Sequence, residues 1–176
     1  MNNLLRAVQK IVDVFETEDI NYMIVGGFAM GFYNRARTTT DIDMVLQIYP
    51  AHVEKIIKHF PDWLPFLENY KESALRGQTF NITDFETGVK YDFMTYQHSD
   101  YNWTAFERRR KVDFLGVECM IASPEDLIIS KLKWYNLSKS EKQLGDIVFL
   151  LNELSLDMQY LELWTQRLII LRHGLF

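Results

Sequence analysis

A chain of 176 residues with 48% hydrophobic and 14% aromatic content can bury a sizeable core, and that composition excludes disorder. A net charge of −5 argues against a long nucleic-acid-binding surface, so any RNA contact is expected to be local. The single cysteine, Cys119, excludes an intrachain disulfide and suits a reducing cytosol, and neither a signal peptide nor a run long enough to span a bilayer is visible.

Leu4, Leu5, Val8, Ile11, Val12 and Phe15 form the apolar stripe of a first helix. Tyr22 to Val25 is a short apolar run bounded by Asn21 and by Gly26-Gly27, as expected of a buried strand. Glycines at a strand end permit positive φ and let another group approach the backbone. Phe28 to Phe32 reads as a short helix, and free N–H groups at a helix start favour a phosphate. A loop with Arg35 and Arg37 follows; these are either solvated loop residues or phosphate contacts, if the loop folds over the glycines. The second strand is Ile42 to Ile48. Alternation puts Asp41 and Asp43 on one face and Ile42, Met44 and Leu46 on the other. Two such carboxylates repel each other when buried. A divalent cation removes that cost, and hard oxygen ligands suit magnesium.

Pro50 opens an amphipathic helix through Val53, Ile56, Ile57 and Phe60 that stops before Pro61. Residues 61–73 read as irregular. Strands are expected over residues 74–82, 89–95, 106–112 and 115–121, with Cys119 an ordinary strand residue. In the strand over 89–95, Asp92 lies opposite Val89, Tyr91 and Phe93, whereas Asp84 lies in a turn-like segment. The run Arg108 to Lys111 reads as solvated surface. His52 and His59 stand too far apart for a zinc pair, and no Walker loop or nucleophilic triad is present.

The rest is helical. Ser123 is a good N-cap, Pro124 suits the first helical position and Asp126 completes a capping box. Lys131 falls inside an apolar arc between Leu127 and Tyr135, where a lysine either snorkels to water or meets an anion; Lys133 falls on the polar side. Asp146 is at the edge of the next apolar face. The last helix, over 156–172, carries Tyr160, Leu161, Trp164, Leu168 and Leu171 for the core or a homodimer face. The expected plan is an α/β (α+β) fold: a mixed β-sheet core over residues 1–121 and a C-terminal helical region over 122–176.

Gly26-Gly27, the spacer and Asp41-Ile42-Asp43 between apolar residues together resemble the signature of the DNA polymerase beta-like nucleotidyltransferase superfamily. The resemblance implies that fold, two Mg2+ ions bound with an NTP at Asp41 and Asp43, and a third carboxylate on a neighbouring strand, for which Asp92 is the candidate. The segment from Ala122 to Tyr135, with Lys142, Gln143, Asp146 and Ile147 after it, resembles elements of the abortive-infection type IV toxin branch. That resemblance implies a phosphate-binding role for Lys131 and a supporting or metal-side role for Asp146. Gln143 departs from the branch, which has an acid there. The implied activity is magnesium-dependent transfer of a nucleoside monophosphate from an NTP to an acceptor hydroxyl on an RNA end, a protein or a small molecule. Two alternatives stay open: a catalytically silent nucleotide- or partner-binding protein, and a toxin with an antitoxin partner.

Overall fold

The computed structural model describes residues 3–35 and 39–173. Helix α1 (Asn3–Thr17) buries Ala7, Val8, Ile11, Val12 and Phe15 along one face. Strand β1 (Tyr22–Ile24), helix α2 (Gly26–Phe32) and strand β2 (Asp41–Leu46) follow. Next come α3 (Pro50–Ile57), a 3-10 segment (Pro61–Phe66), α4 (Leu67–Leu75), β3 (Phe80–Asp84) and β4 (Val89–Thr95). Then α5 (Asp100–Glu107), β5 (Arg110–Phe114) and β6 (Val117–Ile121) lead to three helices, α6 (Pro124–Ser138), α7 (Glu141–Glu153) and α8 (Met158–His173).

Six strands form one mixed sheet in the order β3-β4-β2-β1-β6-β5. The β2–β4 and β1–β6 pairs are parallel and the others antiparallel. Ile42, Met44 and Leu46 of β2 and Tyr91 and Phe93 of β4 are fully buried on the face that packs against α1. Phe93 meets Phe15 edge-on at 6.1 Å, and the Tyr91 hydroxyl donates to the Ala7 carbonyl at 2.9 Å. Each such large side chain contributes roughly 1.5–3 kcal/mol on burial. A one-residue slip of β4 against β2 would turn them to water, so the apolar face locks the register and, with it, the polar residues opposite.

Two segments differ from the sequence-based expectation. Residues 67–75 are helical, and β3 starts only at Phe80. Leu67, Tyr70 and Ala74 lie at helical spacing and turn to the core, while charged residues between them face water. The strand expected from Phe106 starts at Arg110, and α5 precedes it. The overlooked start signal is Ser99, whose Oγ accepts from the Asn102 N–H at 3.1 Å. The basic run expected to be solvated is partly consumed by the fold. Arg108 pairs with buried Glu125 at 3.1 Å, Arg109 lies 4.3 Å over the Phe106 ring, and Lys111 pairs with Glu118 at 3.0 Å.

The expected Ser123 N-cap of α6 forms, whereas the Asp126 carboxylate takes side-chain hydroxyls in place of the capping-box bond. Ser123 Oγ accepts from the Asp126 N–H at 3.1 Å and donates to Asp126 Oδ2 at 2.6 Å. The Tyr160 hydroxyl donates to Asp126 Oδ1 at 2.7 Å, which ties α8 to α6. Tyr160, Leu161 and Trp164 are buried in the core. Among the described residues no helix is long and apolar enough to cross a membrane.

Candidate active site

The parallel pairing of β2 with β4 sets Asp43 beside Asp92 and Asp41 beside Lys90. All four side chains share the face opposite the α1 core. Burial pushes the Asp43 carboxyl pKa up, and the charges of Asp41 and Asp92 push it the same way. A hydrogen bond from the Gly27 N–H and the charge of Lys90 oppose the shift. The Lys90 ammonium lies 2.7 Å from Asp92 Oδ2 and 3.7 Å from Asp41 Oδ2. Its hydrogen bond to Asp92 raises its pKa.

Gly26 closes the other side of this cluster. Its φ is +63°, and a Cβ there would collide with the Asp43 carboxylate. Backbone conformation and close approach both demand glycine, so the double glycine and the Asp-x-Asp strand are two sides of one contact. Asp84, the weaker candidate for the third carboxylate, is engaged elsewhere. Burial alone would raise its pKa, but hydrogen bonds from Lys10 and Thr87, both at 2.8 Å, hold it below the usual range.

Helices α6 and α7 wall a cavity of about 320 Å3 beside Gly26 and Asp43, with Ser130, Lys131, Trp134 and Gln143 on the far side. Lys131 is buried and does not snorkel. Its ammonium lies 2.7 Å from Asp146 Oδ2 and 3.3 Å from Gln143 Oε1. The anion it meets is within the chain, and Gln143, in place of an acid, still supplies it with an oxygen. Arg35 Nε lies 3.6 Å from Asp146 Oδ1, with its guanidinium 5.2 Å over Phe149. Arg35, just after α2, therefore docks on α7, and one buried carboxylate meets both Arg35 and Lys131. Asp146 thus sits between Lys131 and Arg35. Arg37 lies outside the described residues.

A family model described as "Nucleotidyltransferase of unknown function (DUF6036)" matches residues 2–165. The chain belongs to that family. Solved structures of similar fold carry nucleotidyltransferase or nucleotidyltransferase-like names. TM1012 from Thermotoga maritima, put forward as a nucleotidyltransferase, is 15% identical with a TM-score of 0.56, over 81% of this chain and 91% of that one. The antibiotic-resistance factor ANT(2'')-Ia is 14% identical with a TM-score of 0.59, over 95% and 94% of the two chains. An antigenic nucleotidyltransferase-like protein from Paracoccidioides brasiliensis is 17% identical with a TM-score of 0.54, over 83% and 74%. At these identities the likeness is one of fold. No curated protein matches at a significant level. Membership of the DUF6036 family and the shared fold agree with the expected polymerase beta-like superfamily and the mixed α/β (α+β) plan.

Two residues of this nucleotidyltransferase escaped the sequence reading. Lys90 stands two residues before Asp92 and so on the same strand face, a spacing visible in the sequence but passed over. Trp134 is 56% exposed on the cavity wall, one turn from Ser130. Lys133 is open to solvent, as expected of the polar side, but its ammonium lies 4.2 Å over the Tyr101 ring, where partial desolvation lowers its pKa. It lines a second cavity of about 170 Å3 that shares Val25, Met94 and Ser130 with the first. A more open groove of about 460 Å3 runs along α1 past Arg6, Lys10 and His59, and it touches none of the three carboxylates.

Proposed function

We propose that this nucleotidyltransferase moves a nucleoside monophosphate from an NTP to an acceptor hydroxyl, with Mg2+ held by Asp41, Asp43 and Asp92. The observation that carries this proposal is the pairing of Asp43 with Asp92 on one face of adjacent strands, against Gly26. The donor set fits the ion. It offers hard carboxylate oxygens, and Asp43 is held among like charges that a divalent cation would relieve. Bound with the nucleotide, two Mg2+ ions would supply alignment and charge neutralisation for in-line displacement at the α-phosphate.

The chain's own groups have separate tasks. Gly26 and Gly27 let the triphosphate approach the backbone beside Asp43. Lys131, held in the cavity wall by Asp146, and Arg35 face the triphosphate charge. Trp134 offers an exposed ring face on which a base can stack. Asp92 orients the acceptor hydroxyl and accepts its proton. The acceptor enters a local cleft, because Arg108 and Lys111 already have carboxylate partners and leave no continuous basic track for RNA. ANT(2'')-Ia has been crystallised with adenylyl-2''-tobramycin, a nucleotidylated small molecule, and an acceptor of small size is proposed here also. A toxin role would add an adjacent antitoxin gene to the same chemistry.

Titration with ATP, CTP, GTP and UTP in the presence of Mg2+ is the first test. One of the four is expected to bind and, labelled at the α-phosphate, to pass its label to an acceptor in a cell extract. Asp41→Asn should abolish that transfer with the fold intact. Failure of all four nucleotides to bind would remove the proposal.

A further inference from the structure

Among the described residues, Lys90 is the one cation within ion-pair distance of Asp41, Asp43 or Asp92. Its position is no accident of side-chain wandering. It precedes Asp92 by two residues, which puts both on one face of β4, and the parallel register sets it directly beside Asp41. Its ammonium thus lies where the two outer carboxylates meet. Among the described residues no three Asp, Glu, His or Cys side chains are gathered into a ready metal centre. Asp92 is turned to Lys90 instead. Lys90 itself is 42% exposed, and its flexible stem can swing to water.

We propose that Lys90 is the resident counter-ion of this carboxylate site, and that it competes with the divalent ion for Asp92 and Asp41. The proposal rests on nucleotidyl transfer only in taking those carboxylates as the metal ligands. Three carboxylates and one lysine carry a local charge of about −2, against −3 without the lysine, so the metal-free protein tolerates the cluster. A metal ion arriving alone must displace an ammonium already in contact. A metal ion arriving with a triphosphate brings extra negative charge, and the displaced Lys90 can pair with that charge instead of with water. Metal and nucleotide therefore load cooperatively, and Lys90 is the positioning residue through which they are coupled. The competing explanation is an ordinary surface ion pair, worth little and without influence on metal binding.

Calorimetric titration of Mn2+ into the metal-free wild type, Lys90→Met, Lys90→Gln and Lys90→Arg distinguishes them. Lys90→Met and Lys90→Gln are expected to bind Mn2+ roughly ten-fold tighter than wild type, as for removal of one unit charge beside a carboxylate. Lys90→Arg keeps the charge and should bind as wild type does. Lys90→Gln keeps a hydrogen bond to Asp92, so it guards against a Lys90→Met that folds poorly. Repeating the titration with each of the four NTPs present should tighten Mn2+ binding more in wild type than in Lys90→Met. Equal Mn2+ affinity of wild type and the two uncharged variants overturns the role of Lys90. In that case nucleotidyl transfer still holds, provided Asp41→Asn loses nucleotide-dependent Mn2+ binding. Failure of every variant to bind Mn2+, with and without the NTPs, overturns both.

Discussion

Replacing Gly26 by alanine tests the contact on which the whole site depends. Two costs add at this position. Alanine at a φ of +63° costs about 1–2 kcal/mol. The new Cβ also drives the Asp43 carboxylate away, which breaks its hydrogen bond from the Gly27 N–H, a charge-assisted bond worth about 1.5–3 kcal/mol. The stiffer unfolded chain returns about 0.4–1 kcal/mol. The net destabilisation is about 2–4 kcal/mol. Gly88 is the internal control, because its φ is +72° and a Cβ there meets nothing within 4 Å. Gly88→Ala bears the conformational cost alone. Subtracting one variant from the other leaves the displacement of Asp43, about 2 kcal/mol. For a chain of this size that is a gap of about 4–8 °C between the two Tm values, measurable by calorimetry or by denaturant titration. Nucleotide-dependent transfer should fall about 100-fold or more in Gly26→Ala, since the reacting groups lose alignment, and stay near wild type in Gly88→Ala. Equal stability of the two variants, or a Gly26→Ala protein with full transfer activity, would refute the contact between the glycine turn and Asp43.

Asp43→Asn should make the metal-free protein more stable than wild type at neutral pH. The folded state raises the Asp43 pKa, so it binds the proton more tightly than the unfolded chain does; its favourable contribution is complete below about 3.9 and is lost as pH rises through the folded value. The stability gain of Asp43→Asn should therefore vanish in melts at pH 3, and a variant less stable than wild type at pH 7 would contradict the repulsion. Lys131→Met leaves the buried Asp146 carboxylate with a weakened set of partners and should cost about 3 kcal/mol in denaturant unfolding, with weaker nucleotide binding. Lys133→Ala, in the neighbouring cavity, should leave nucleotide affinity unchanged in the same titration. Asp84→Ala should lower stability by about 2 kcal/mol through the loss of its Lys10 and Thr87 bonds, yet retain transfer, because it lies apart from the three carboxylates.

The parts of this molecule that were legible in the sequence are those where one local rule decides the outcome. Alternation in β2 and β4 gave the faces of Asp41, Asp43 and Asp92, since each strand carries an uninterrupted apolar partner set. Ser123 and Pro124 announced α6, because a cap is a local hydrogen bond. Helices α4 and α5 were hidden for different reasons. In α4 the helical spacing of Leu67, Tyr70 and Ala74 is diluted by charges, and Pro61 and Pro65 before it suggested a loop. In α5 the expected strand overlapped only Phe106 and Glu107 at its end, and the Ser99 cap is the signal that reveals the helix. The partner of Lys131 was beyond reach of periodicity. Whether its anion is a ligand or Asp146 depends on how α7 folds back on α6, which is a tertiary fact. The same holds for Arg35, whose contact with α7 crosses more than a hundred residues of chain.

The double duty of Asp146 has a consequence for how this enzyme can be cut or grafted. A division at residue 121 follows the order of elements along the chain, since the sheet ends there and only helices follow among the described residues. Cutting there would leave the sheet with its three carboxylates facing open water and Arg35 without its anchor on α7. The helices would carry off Lys131, Gln143 and Trp134, one whole wall of the cavity. Swapping the C-terminal helices between relatives would thus exchange one wall of the cavity beside Asp43. Chimeras would have to carry Arg35, Lys131 and Asp146 as a single inherited set.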